Sequence, residues 1–112
     1  MKIIEKATDL RFLWETREVD FTELMKIVVD VDKKKLAIDA EMHADLEKLL
    51  LENGSEQKNL WGANIYPEKS NDELIEYTSF INIRPSQNNR SMEILDDDLK
   101  IKVKEIILNL LK

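Results

Sequence analysis

Two neighbouring segments alternate in hydrophobicity residue by residue, and that alternation constrains the fold more than any other feature of the chain. From Leu24 to Asp32, Met25, Ile27, Val29 and Val31 alternate with Lys26, Val28, Asp30 and Asp32, the period of a β-strand with one buried face. Asp32-Lys33-Lys34-Lys35 reads as a tight polar turn. Beyond it Leu36, Ile38, Ala40 and Met42 point one way while Ala37, Asp39, Glu41 and His43 point the other. The two segments together predict an antiparallel hairpin.

The remaining segments arrange themselves around it. Met1 to Glu5 is a short strand. Thr8 or Asp9 caps a helix through Arg17 that sets Leu10, Leu13 and Trp14 on one side. Asp45 caps a second helix to Asn53, with Leu46, Leu49 and Leu50 inward and Gly54 as a left-handed stop. The alternative there is a hairpin turn at Asn53-Gly54 with Leu49 to Leu51 as strand. Ala63 to Tyr66, ending at Pro67, and a long strand from Leu74 to Arg84 are expected to be antiparallel neighbours. Asp96, Asp97 and Asp98 place negative charge where it favours the start of a helix to Lys112. The stripe Leu99, Val103, Ile106, Ile107 and Leu110 on that helix faces the sheet. The expectation is one α+β domain over residues 1–112: a mainly antiparallel sheet of about five strands with two or three helices, the C-terminal one packed on the sheet.

Composition removes several classes of function. The chain has no cysteine, which excludes thiol catalysis and thiolate metal sites. No signal-peptide core and no apolar run approaching ~18 residues is present, so a cytoplasmic location and no membrane partner are expected. A net charge of −6 disfavours general nucleic-acid binding.

Against that acidity, Tyr77 to Met92 carries no carboxylate although the chain has 23. Arg84, Ser86, Gln87, Asn88, Asn89, Arg90 and Ser91 concentrate hydrogen-bond donors around two guanidinium forks that suit a carboxylate or phosphate. Trp61 and Tyr66, in the segment Leu60 to Pro67, are candidates to line a pocket beside this loop. A second constellation, Asp39, Glu41, His43 and Asp45, has a spacing of two that projects the first three to one face of an extended strand. Glu41, His43 and Asp45 form a ligand set suited to a divalent metal. The common reading of such a pattern is a solvated strand face. His43 is the only histidine, and no nucleophile is paired with it in sequence. On the C-terminal helix, Ile101 and Leu108 lie opposite the buried stripe and are candidates for a homo-oligomer interface.

The segments Met42-His43-Ala44-Asp45, LLLENGS at 49–55, LWGANIYP at 60–67 and INIRPSQNNRSMEI at 81–94 carry a resemblance that runs nearly end to end. Through them the chain resembles a family of short stand-alone prokaryotic proteins of unknown function. The resemblance implies a free-standing domain and transfers no functional residue. The leading functional expectation is therefore a non-catalytic binding or regulatory module, homodimeric and without a cofactor, that holds a small anion or a partner's carboxylate. The alternatives are a small metal-dependent hydrolase and a purely structural interaction protein.

Overall fold

A computed structural model describes residues 1–112. Strand β1 (Lys2–Ile4) is followed by helix α1 (Leu10–Glu15), the hairpin β2 (Met25–Asp30) and β3 (Lys35–Ile38), and helix α2 (His43–Glu52). Strands β4 (Leu60–Ile65) and β5 (Ile75–Glu76) come next, and helix α3 (Asp97–Leu110) ends the chain. The five strands form one sheet in the order β1-β3-β2-β4-β5, antiparallel throughout. β2 lies at its centre, with Ile27 opposite both Ile38 of β3 and Ala63 of β4.

The hairpin turn is held by a buried carboxylate. Asp30 Oδ1 accepts from the backbone N–H groups of Asp32 and Lys33, both at 2.9 Å, and Oδ2 accepts from Ser55 Oγ at 2.6 Å. Three donors offset the desolvation of a charge that is fully buried.

One face of the sheet packs Met25, Ile27, Val29, Ile38, Trp61 and Ile65 against Leu13 and Trp14 of α1 and Val103, Ile106, Ile107 and Leu110 of α3. The other face packs Val28, Ala37 and Leu60 against Leu46 and Leu50 of α2. β2 is therefore buried on both faces, where its alternation predicts one. Helix α2 covers the second face; of the polar residues that made that face look solvated, Asp30 is bonded internally and Lys26 is half-buried.

Three local expectations are corrected. β3 ends at Ile38 and does not continue to His43, because Asp39 adopts a left-handed backbone with φ 78°. The Asp39 carboxylate accepts from the N–H groups of Glu18 and Val19, which ties down the segment after α1. α2 then starts at His43, with Met42 as its N-cap and Asp45 inside the first turn. It runs as a helix through Leu49 to Leu51, and Gly54 at φ 95° follows its end. Lys33 Nζ and Lys35 Nζ donate to the carbonyls of Gly54 and Asn53, placing cations at the negative helix end. Finally, the strand expected over Leu74 to Arg84 is regular only at Ile75–Glu76. An isolated pairing of Thr78 with Glu93 and short 3₁₀ turns at Phe80–Asn82 and Pro85–Gln87 replace the rest.

α3 begins as its acidic start predicts. Asp96 Oδ1 accepts from the N–H groups of Asp98 and Leu99, and Asp97 and Asp98 occupy the first turn. The helix stops at Leu110, and Lys112 N donates to Thr8 O.

Candidate functional site

Beyond β5 the outer edge of β4 is completed by side chains. The Asn82 carboxamide accepts from Gly62 N at 2.8 Å and donates to Gly62 O at 3.0 Å, the two bonds that a neighbouring strand's peptide group would make. Gly62 has to be glycine at this contact. A Cβ there would lie 2.6 Å from Ser79 Cβ, with the His43 ring 3.2 Å away.

The arginine loop extends the same work. Arg84 is buried: Nε donates to Ile81 O, Nη1 to Gln57 O at 2.7 Å, and Nη2 lies 3.3 Å from Glu47 Oε2. Its guanidinium also sits 4.7 Å over the Trp61 ring. Burial lowers its pKa from the usual value, and the Glu47 charge opposes that shift. Gln87 Nε2 donates to Lys58 O. Asn89 is buried, reaches the carbonyls of Asn82, Glu93 and Ser91 through Nδ2, and accepts from Leu95 N through Oδ1. Ser91 Oγ accepts from Glu93 N, while Ser86 and Arg90 are exposed. These contacts explain the absence of acids from Tyr77 to Met92: the segment serves a row of backbone carbonyls, and an ionised carboxylate has no proton to donate.

Trp61 and Tyr66 part company. Trp61, with Gln87 and Asn89, borders a cleft of about 520 Å³ that Val31, Lys58, Asn88, Leu95, Asp96 and Leu99 complete. Tyr66 lies elsewhere, its hydroxyl donating to Glu76 Oε1, the same oxygen that accepts from Asn64 Nδ2.

The structure does not bring Glu41, His43 and Asp45 together. Glu41 and Asp45 are exposed and His43 is buried, since a helix start has replaced the extended backbone that would have aligned them. His43 Nε2 is 2.8 Å from Ala63 O; a carbonyl only accepts, so Nε2 carries the proton. Burial pushes the His43 pKa below its ordinary 6.5. The charge of Lys26 adds to this, against the bond to Ala63 O and the Asn64 carboxamide. Asn64 Oδ1 is itself buried without a hydrogen-bond donor.

Ile101 and Leu108 are exposed, as expected, at 54% and 41%. They are also part of a concavity. Together with Asn71, Asp72, Leu74, Ile75 and Tyr77 from the segment around β5, and Lys100 and Lys104 from α3, they line a groove of about 580 Å³. Lys100 Nζ is 5.7 Å over the Tyr77 ring, and neither lysine forms an ion pair. The lysine pair was legible as an i, i+4 couple beside Ile101 but carries no signal until the opposite wall is known. Asn82 had a weaker trace, an amide within a β-rich run.

These features define a three-layer α+β domain with two concavities bordered by its C-terminal helix. Residues 2–110 match the family described as "Protein of unknown function (DUF5674)", and the chain belongs to that family. No curated protein and no solved structure gives a significant match.

Proposed function

We propose that the protein is a non-catalytic binding module whose working surface is the groove along α3, and that its ligand is an apolar, carboxylate-bearing segment of a partner protein. The observation that carries this reading is the pairing of Ile101 and Leu108 with Lys100 and Lys104, two cations without ion-pair partners on a chain of net charge −6. An apolar wall edged by two unpaired ammonium groups, against the groove's one carboxylate, Asp72, keeps a net positive rim that is complementary to a segment combining aliphatic and acidic residues.

The arginine loop supports the same preference less directly. Arg84 already has its carboxylate in Glu47, so an incoming anion would have to displace an internal partner. Self-association along the groove is also less favourable. A two-fold antiparallel pairing of α3 sets the lysine flank of one copy against that of the other, and like charges in contact oppose it. The metal-dependent alternative has the weakest support, because Glu41 and Asp45 face solvent while His43 is turned to Ala63 O.

The test is to pan a random peptide library displayed on phage against the whole protein. Enriched peptides are expected to combine aliphatic or aromatic residues with Asp or Glu. They should lose binding to Leu108→Glu and to Lys104→Glu, variants at exposed positions that keep the parent's circular dichroism and melting temperature. Enrichment of basic peptides, or of none that respond to these variants, rejects the reading. A concentration-dependent dimer dissociated by Ile101→Glu would assign the groove to a second copy.

A further inference from the structure

The cleft between the Pro85–Gln87 turn and the start of α3 is built from different residues and has a different chemistry. Its volume of about 520 Å³ falls in the range of small-molecule sites. Trp61, Leu95 and Leu99 give it an apolar lining. The wall beside them is fixed: Gln87 is tied to Lys58 O and Asn89 to four backbone groups, so little ordering remains to be done when a ligand arrives.

Three polar groups around this lining keep unused capacity. Lys58 Nζ meets only Glu56, at 3.4 Å, in a solvent-exposed pair of little energetic weight. Asp96 makes both of its capping bonds through Oδ1, which leaves Oδ2 free. Asn88, held at φ 60° between Gln87 and Asn89, spends no side-chain atom on the protein. The nearby Arg84 is not available, being committed to Glu47 and to the carbonyls of Ile81 and Gln57.

A simple anion in this cleft would meet Asp96, and a simple cation would meet Lys58. We propose that the cleft binds a small zwitterion, an α-amino acid with an apolar side chain. Its carboxylate pairs with Lys58, its ammonium with Asp96 Oδ2 and the Asn88 carboxamide, and its side chain lies against Trp61, Leu95 and Leu99. The positive end of the α3 dipole does not repel the ammonium, because Asp96, Asp97 and Asp98 exceed the partial charge of a helix N-terminus.

The proposal is tested by titrating isotopically labelled protein, residues 1–112, with L-leucine and L-phenylalanine, and with two matched probes that each lack one charge, isocaproate and isoamylamine. Saturable shifts of the Trp61 indole and Asn88 carboxamide signals are expected with the amino acids, and binding weaker by about tenfold or more for each single-charge probe. Lys58→Gln and Asp96→Asn should each weaken leucine binding about tenfold. Asparagine still caps a helix, so α3 remains folded in the second variant. Equal binding of isocaproate would make this a plain carboxylate site and overturn the proposal. So would the absence of saturable shifts with both amino acids, or leucine binding that survives both charge-removing variants.

Discussion

Arg84 and Glu47, 37 positions apart in sequence, meet at 3.3 Å with side chains only 9% and 14% exposed. The contact joins the loop that carries most of the chain's clustered donors to helix α2. Because three other contacts of the guanidinium go to Ile81 O, Gln57 O and the Gln87 side chain, its role here is to hold three segments together.

Removing this guanidinium should therefore cost stability. Arg84→Ala strands the Gln57 and Ile81 carbonyls and leaves Glu47 without its cation, and is expected to lower unfolding free energy by about 3 kcal/mol. Glu47→Gln keeps an acceptor and should cost about 1 kcal/mol. Urea unfolding of the two variants measures both. A loss under about 1 kcal/mol for Arg84→Ala would show that the guanidinium is free to serve a ligand instead.

Gly62→Ala should destabilise by about 1–3 kcal/mol, since its Cβ would collide with Ser79. The cause can be separated from a general intolerance of strand substitution. In the Ser79→Gly background the same change should cost clearly less, and a double-mutant cycle in thermal or urea unfolding reads the coupling. Additive effects would place the strain elsewhere.

His43 gives the stability a specific pH dependence. Its folded-state pKa is lowered from 6.5, chiefly by burial, so below about pH 6.5 the unfolded chain takes up the proton more readily than the folded one. Stability is complete above the ordinary value and is lost as pH falls from there toward the folded-state pKa, below which this contribution is constant. In His43→Gln the loss between roughly pH 6.5 and the onset of carboxylate titration should vanish. Unfolding midpoints across this window decide the matter, and an unchanged slope in the variant would remove His43 as its source.

The hairpin, the sheet class and α3 were legible because their signals are local. Period-two alternation, a polar turn and three aspartates before an apolar stripe need no knowledge of the rest of the chain. What could not be read depends on contacts between distant segments. Val28 looks half-exposed until α2 is known to cover it, and Asp39 reads as one more strand residue until the Glu18 and Val19 amides claim its carboxylate. The same holds for the polar loop. Its composition marks Arg84 and Asn89 as donors but does not say that their acceptors are the protein's own carbonyls. Trp61 borders one cleft with Gln87 and Asn89, whereas Tyr66 bonds Glu76 away from it, a separation that the short sequence distance between them does not show.

The carboxamide of Asn82 also bears on how the molecule behaves in company. A sheet that stops short usually leaves backbone groups free to recruit a strand from another chain. Beside Gly62 both of those groups are taken by a side chain that cannot itself be extended. Strand exchange at this end must first pull Asn82 away from Gly62 and from the Met92 carbonyl it also serves, which puts a barrier in front of domain swapping and edge-to-edge aggregation.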